Sequence, residues 1–528
     1  MKSAPVTRDK NTGLATQDGL VAAMMRPAFY PRPADQVIHK ETHISHVFLV
    51  GDLVYKIKKA VRFSFLDYST LARRRHFLQE ELRLNRRLAP SVYLAVMPIS
   101  FDENGWRLGG WSEPAEYTLV MRRLPEKQML RFLLQTKQVT QGMIEQLADH
   151  LAEFHAAAEM TKDIPADEYL AALQGEWNDS LADIRPLMTA PGDRQALEAI
   201  DSFGSKFLRT NRALLMRRVS EGWIRDVHGD LHAEHICFAP EGIQIFDCIE
   251  FSAKLRRCDL ASEIAFLLMD MAILGGESLV DAFVERYRER LGDAEMTALL
   301  PYFKCYRALV RAKVHALRLS RWGDEAARYF HFARRVTWEP FKPFLMLVCG
   351  LTGSGKSTLA RPMGERLGMS VINSDVVRKL IAAKPGRHAV RYHEGIYSPA
   401  MTEKTYAGMA RQAEEQIRKG QGAILDATFA RRAHREKIAA LALKYRIPLI
   451  VVHCSASDAT SEKRLHLRAA QGTDVSDGRW EIYVAQKAAY EPLDEVPVSD
   501  RLELGTEAPV EQLIAAAETF LHARLAAR

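Results

Sequence analysis

Cysteine is scarce in this chain: six residues in 528 (Cys237, Cys248, Cys258, Cys305, Cys349 and Cys454), scattered, with no CxxC pair and several inside apolar runs. That usage excludes a disulfide scaffold and fits small core residues in a reducing compartment. Long apolar runs are also missing, none reaching the roughly 18 residues that span a bilayer. Met1–Gly19 is polar and lacks the apolar segment of a signal peptide, so it is expected to be a mobile tail and the cytoplasm the location. Charge of one sign is in small excess. A net +7 suits anionic substrates such as ATP but does not argue for nucleic-acid binding. The short runs Arg73–Arg75 and Arg256–Arg257 are expected to be solvated faces. No repeat or low-complexity segment is evident, and the length exceeds what one core can organise.

Against these absences stands Gly350-Leu-Thr-Gly353-Ser354-Gly355-Lys356-Ser357, a full GxxxxGK[ST] loop directly after the apolar run Phe344–Cys349. The glycines let backbone N–H groups turn onto phosphate oxygens, Lys356 neutralises the outer phosphates, and the Ser357 hydroxyl ligates Mg2+. The helix expected from Ser357 carries Thr358 in its first turn and Pro362 inside it, where a kink is expected. Strands then alternate with helical patterns at Ser370–Asn373, Gly422–Leu425, Pro448–Cys454 and Arg501–Leu504, which predicts an α/β domain with a parallel five-stranded sheet. Such sheets bind ligands at the carboxyl ends of their strands.

The charged residues fall there. Asp375, in Asn373-Ser-Asp375-Val-Val-Arg378, can take the proton from an acceptor hydroxyl, and Arg378 one turn on can hold an anionic group; a helix cap is the alternative for Asp375. Asp426 is the candidate carboxylate for an Mg2+-bound water or for substrate, with Thr428 beside it and capping again the alternative. Arg464 and Arg468 share a helix face before the turn-rich Gln471–Gly478, the layout of a lid over phosphates, with a solvated face as the other reading of Arg468. On these motifs the region 342–528 resembles the small P-loop kinases, which include gluconate, shikimate and polynucleotide 5'-hydroxyl kinases and the zeta toxins.

Upstream, Val47–Val50 and Leu53–Lys58 read as a hairpin, followed by a charged helix over Ser69–Leu88 and strands at Tyr93–Ser100 and Glu116–Met121. From Thr140 to Arg335 helical periodicity dominates, interrupted by His228-Gly-Asp230-Leu-His232-Ala-Glu-His235 and Gln244-Ile-Phe-Asp247. This predicts an α+β, two-lobed domain over 20–341, ended by Pro340 and Pro343. From the catalytic-loop motif and Phe246-Asp-Cys-Ile-Glu250, residues 40–335 resemble the aminoglycoside phosphotransferase family, relatives of protein kinases, and most closely the branch fused to a P-loop kinase.

The resemblance implies Asp230 as catalytic aspartate, His228 as the brace of its loop, Asp247 as metal ligand, Lys56 or Lys58 as the lysine on the ATP phosphates, and Glu80 or Glu81 as its partner. His235 stands where the family usually has asparagine as second metal ligand, and imidazole is a poor ligand for Mg2+. Two other readings of this region are a transition-metal cluster of His228, His232 and His235, and helix caps for Asp230 and Asp247. Asp259 is expected to be a structural cap. ATP and Mg2+ are the expected cofactors, with small hydroxyl-bearing acceptors, and the reaction is phosphoryl transfer. The alternatives are an N-terminal nucleotide-binding regulatory module, motivated by His235, and a nucleic-acid end kinase at the C-terminus, which the modest charge disfavours.

Overall fold

The computed structural model describes residues 17–32, 35–63, 66–103, 105–110, 112–188, 191–319, 321–382, 397–471 and 479–527. Packing divides the chain into two compact units, Met1–Thr189 with Leu197–Ala333, and Ala190–Ala196 with Arg334–Arg528. The division falls upstream of Pro340 because Trp338 and Phe341 pack into the C-terminal core. The expected tail lies outside the described residues as far as residue 16, whereas Gln17–Met24 forms a helix, α1, so residues 17–19 do not belong to a tail.

The N-terminal unit begins with strands β1 (Val37–Glu41), β2 (Ser45–Val50) and β3 (Leu53–Lys58), then helix α2 (Leu71–Asn85) and strands β4 (Tyr93–Asp102), β5 (Gly105–Leu108) and β6 (Pro114–Arg122). They form an antiparallel sheet in the order β1-β2-β3-β6-β4-β5. Alternation along β3 decides what each face receives. Tyr55 and Ile57 join Leu20, Met24 and Phe48 in a core under α1. The intervening Lys56 and Lys58 therefore point to the other face, where Leu78 of α2 packs on Leu119 and Tyr93. Thr70 caps α2 by accepting from Arg73 N.

After the sheet the unit is mostly helical, with a two-stranded ribbon, β7 (Ile236–Ala239) and β8 (Gly242–Ile245), that presents the catalytic-loop motif. Two of the basic runs are not solvated faces. Arg74 is buried and its Nε donates to both oxygens of Glu116 at 3.0 and 2.9 Å, and Arg256 is buried against Asp226 at 3.1 Å. Each is one residue of a run whose neighbour turns outward, so a local charge count could not separate them.

In the C-terminal unit, β9 (Leu345–Cys349), β10 (Ser370–Asn373), β11 (Ala423–Asp426), β12 (Leu449–Ser455) and β13 (Arg501–Gly505) form an all-parallel sheet in the order β10-β11-β9-β12-β13. The central β9 is buried at all five positions, with Met346 and Val348 in one core and Leu345, Leu347 and Cys349 in the other. A strand covered on both faces explains why this run lacks alternation. Pro362 lies inside the helix Lys356–Leu367, and nothing in the structure assigns it a role.

Asp259 is a cap, as expected, and also part of a buried cluster. It accepts from Ala261 N at 2.8 Å and, with Asp293, holds the fully buried Arg218 through four hydrogen bonds of 2.7, 2.8, 2.8 and 2.8 Å. Removing a lone partner from such a cluster strands the remaining charges without water. Arg218→Met is expected to destabilise the N-terminal unit by about 3–5 kcal/mol, read by urea unfolding of the full chain. A loss below about 1 kcal/mol would show that the two carboxylates find other donors.

Candidate active sites

In the N-terminal unit the ambiguity of the lysines and glutamates resolves into one cluster. Lys56 Nζ lies 2.7 Å from Glu81 Oε1 and 2.8 Å from Asp247 Oδ1, and Lys58 Nζ lies 2.8 Å from Glu81 Oε2 and 2.5 Å from Glu250 Oε1. Glu81 thus serves both lysines, and Lys56 is the one that also reaches Asp247. Glu80 is not part of the site: a single residue turns the helix by about 100°, and Glu80 points outward to Arg83 at 2.7 Å. Burial penalises the Glu81 carboxylate, yet the Lys56 and Lys58 charges hold its pKa below the usual range. Glu250 closes the Phe246–Glu250 motif but carries no role in the sequence reading, and Tyr68, whose hydroxyl donates to Glu250 at 2.5 Å, belongs to no local motif.

The loop that carries Asp230 is fixed by backbone contacts. Glu263 accepts from His228 N at 2.9 Å and from Gly229 N at 3.1 Å, and burial pushes its pKa up to about 7. Gly229 has φ 83°, and a Cβ there would meet Leu255 O at 3.0 Å, so the turn needs glycine. Asp247 also adopts a left-handed backbone, φ 63°, with its N–H donating to Tyr93 Oη at 3.1 Å. Such strain is often found where a side chain must be aimed. Against the cost of burial, Lys56 and His235 hold the Asp247 carboxyl well below its usual range.

The three histidines have distinct jobs, assigned from their partners. His228 Nε2 donates to Phe246 O at 2.9 Å while Nδ1 accepts from Asp230 N at 3.3 Å, and burial lowers its pKa to about 3. His232 Nδ1 accepts from Glu234 N at 3.4 Å, which leaves Nε2 to carry the proton, 3.5 Å from Asp230 Oδ2. Neither offers a free lone pair, so the cluster of His228, His232 and His235 is not a metal site. His235 Nδ1 donates to Asp230 O at 2.9 Å, and its Nε2 lies 3.6 Å from Asp247 Oδ2. Asp230, His232 and His235 also have donor atoms within 4.8 Å of one another, but the proton on His232 Nε2 speaks against that set. Nor does Asp230 or Asp247 cap a helix: the turn Ala233–His235 is capped by His232, and the helix Ala253–Arg256 by Ser252.

In the C-terminal unit the loop, β10 and β11 converge on a cavity of about 370 Å3, lined among others by Lys356, Ser357, Asp375, Arg378, Glu403 and Asp426. Gly350 has φ 135°, and a Cβ there would lie 2.2 Å from Cys454 O. Gly353 and Gly355 have φ 79° and 84°. Ser357 Oγ donates to Asp426 Oδ2 at 2.6 Å, and Asn373 Nδ2 donates to the same oxygen at 2.8 Å. These oxygens are hard donors of the kind Mg2+ takes beside ATP, so the residues fit that ion. Lys356 Nζ donates to Leu351 O at 2.7 Å. Gly350, Ser354 and Thr358 stand off the cavity wall.

The capping alternatives fail here. Asn373 Oδ1 fills the cap of Ser374–Ile381, accepting from Asp375 N and Val376 N at 3.0 and 3.2 Å, so the Asp375 carboxylate is left to the cavity and to Arg378 at 2.6 Å. Asp426 and Thr428 precede a helix whose cap is Arg431. Arg464 departs from its expected place: its guanidinium donates to Thr506 Oγ1 at 2.9 Å, Thr506 O at 2.6 Å and Gly353 O at 3.4 Å. It braces the phosphate loop and does not line the cavity, because its face of the helix Asp458–Gln471 is turned to the chain after β13. The Arg468 side chain and the lid expected through Gly478 lie outside the described residues, from 472 onward for the lid. Gln486, whose Oε1 accepts from Thr352 N at 3.0 Å, is a wall residue with no sequence signal, since it comes from a helix far downstream.

Comparison with known proteins assigns a family to each of the two regions. Residues 40–302 match the phosphotransferase enzyme family, and residues 345–493 match an AAA domain family. An uncharacterized protein of Mycobacterium tuberculosis is 32% identical over 447 residues, 83% of this chain and 87% of its own length, and a counterpart in Mycobacterium bovis matches equally. Among solved structures, a choline/ethanolamine kinase family protein from Mesorhizobium loti aligns at TM-score 0.37 and 13% identity over 60% of this chain and 92% of its own. A gluconokinase from Sinorhizobium meliloti aligns at TM-score 0.26 and 18% identity over 35% of this chain and 95% of its own. The chain therefore belongs, with its mycobacterial relatives, to the group in which a domain of the phosphotransferase enzyme family is followed by a P-loop kinase domain.

Proposed function

We propose that the chain is an ATP-dependent phosphotransferase with two separate centres, each passing the γ-phosphoryl group to a hydroxyl of a small acceptor. The observation that carries the reading is the C-terminal cavity, where a phosphate-binding loop, the Ser357–Asp426 pair and the uncapped Asp375 carboxylate face one space. ATP and Mg2+ bound there would supply the phosphoryl group and neutralise its charge, with Lys356, Ser357 and Asp426 as their holders. Asp375 accepts the acceptor's proton, and Arg378 holds an anionic group of the acceptor or the phosphoryl in transit. Labelled ATP incubated with the full chain and a metabolite extract tests this directly, through the identity of the labelled product.

Lys356→Ala is expected to abolish C-terminal transfer with the fold retained, because the lost charge faces phosphate and supports no core. The measurement is transfer in full-length protein whose N-terminal centre is disabled by Asp247→Asn. Persistence of transfer there would refute the assignment. Asp375→Asn is expected to leave ATP affinity near normal and to lower transfer by about 100-fold or more. If affinity fell and transfer per bound ATP did not, Asp375 would hold metal or structure instead.

The same chemistry at the N-terminal centre uses Lys56, Asp230 and Asp247, with His235 as the variable. Its Nε2 lies 3.6 Å from Asp247 Oδ2, and such a nitrogen–oxygen pair, with Nε2 deprotonated, favours a metal of borderline softness over Mg2+. A nucleotide-binding regulatory role is the second reading, and this substitution is what favours it. In a Lys356→Ala background, Mn2+ is expected to support ATP binding better than Mg2+, and His235→Asn to reverse the order, both read by calorimetry. His235→Asn is also expected to raise Mg2+-supported turnover. Equal binding with the two ions, unchanged by the substitution, would show that His235 is not a ligand.

A further inference from the structure

The N-terminal unit holds a second cavity, of about 380 Å3, that the transfer chemistry above leaves unused. Four arginines line it: Arg131, Arg311, Arg318 and Arg328, the middle two separated by two helical turns of Met296–Leu319. Three carboxylates share the wall, and each is already engaged. Asp270 accepts from Ala233 N at 2.9 Å and from the Tyr329 hydroxyl at 3.3 Å. Glu234 is paired with Arg131 and lies 3.9 Å from Arg311, one acid between two guanidiniums. Glu325 is half-exposed at the rim, 4.0 Å from Arg328.

Donors are left over. Arg318 has no ion pair or hydrogen bond among the described residues, and neither Arg311 Nε nor His315 Nε2 has a hydrogen-bond partner. Arg311 Nε and His315 Nε2 are cut off from solvent, and unpaired polar atoms so placed are costly unless something fills them, whereas Arg318 is a solvated charge at the opening. Guanidinium forks match the paired oxygens of phosphate, sulfate and carboxylate, whereas a cationic ligand would meet four like charges.

The cavity adjoins the catalytic loop. Glu234 lies four residues after Asp230 in the same loop, Asp270 holds the Ala233 N–H between them, and the Asp230 charge is felt at Arg311. We propose that this cavity is the oxyanion subsite of the N-terminal acceptor, which is an alcohol bearing a phosphate, sulfate or carboxylate group. The inference rests on the phosphotransferase reading of that centre. In the transfer, the acceptor oxygen bonds to the γ-phosphorus, the bond from that phosphorus to the β–γ bridging oxygen breaks to release ADP, and the hydroxyl proton passes to Asp230.

The test titrates inorganic phosphate, by calorimetry, into the full-length protein with Lys356 intact, saturated with a non-hydrolysable ATP analogue and Mn2+, so that nucleotide fills both centres that would otherwise take phosphate. One further phosphate site is expected, weakened by about tenfold or more in Arg318→Glu and in Arg311→Gln, the size of a lost charged contact, with analogue affinity unchanged. Arg318 is exposed, so its substitution reads the site even where Arg311→Gln disturbs the fold. No phosphate uptake, or uptake indifferent to Arg318→Glu, overturns the inference. In transfer assays with matched alcohols, the phosphorylated or carboxylated member should outperform the neutral and amino ones; preference for the amine overturns it as well. A parent protein that fails to bind the analogue at the N-terminal centre would instead remove the reading on which the inference stands.

Discussion

The N-terminal centre depends on a charge cluster whose inner half is cut off from water while Lys56 and Asp247 reach its exposed side. Glu81 and Lys58 have fully buried side chains, and Glu81 binds Lys58 and Lys56 at once. Ions withdrawn from water cost several kcal/mol each, and only multiple short contacts offset that cost. Here every member has at least two partners: Lys58 has Glu81 and Glu250, Lys56 has Glu81 and Asp247, and Glu250 has Lys58 and Tyr68. The cluster ties β3 to α2 and to the chain that follows β8, so the lysine that would meet ATP and the aspartate that would meet its metal are set by the same contacts. Lys58 holds Glu81 from behind, which leaves the other carboxylate oxygen to orient Lys56.

The C-terminal centre solves a similar problem with backbone. Its phosphate loop needs left-handed glycines and a strand that delivers them, and both requirements are written into eight consecutive residues. That is why this centre was legible in the sequence. The N-terminal one draws on residues 56, 81, 230, 247 and 250, from separate elements, and local spacing could not choose between Lys56 and Lys58 or between Glu80 and Glu81. The strand alternation placed both lysines on one face; only the tertiary contact showed that both are used.

Other misreadings have the same origin. Arg74 and Arg256 looked like surface charge because their carboxylates, Glu116 and Asp226, are distant in sequence. Arg464 looked like a lid residue because helical spacing records which residues share a face and not what that face meets; its partner Thr506 arrives from after the last strand. The role of Asn373 was hidden for a different reason. Its motif was visible, but one amide both caps a helix and donates to Asp426, and that double use frees Asp375 from capping.

The histidine-rich loop shows how hydrogen bonds to backbone decide chemistry that residue types leave open. His228, His232 and His235 are close enough to suggest a metal cluster, yet an amide N–H can only donate, so the ring nitrogen that receives one in His228 and in His232 must act as acceptor. Two of the three then spend both nitrogens on the loop or on Asp230. His235 meets the loop through Nδ1 alone, and its Nε2 faces Asp247. An asparagine at that position would present a hard oxygen; the histidine presents a softer nitrogen without disturbing Asp230, because its other nitrogen repeats a donor bond that a side-chain amide can also make. The exchange therefore keeps the loop geometry and changes only the group that faces Asp247, which is where a difference in metal preference would arise.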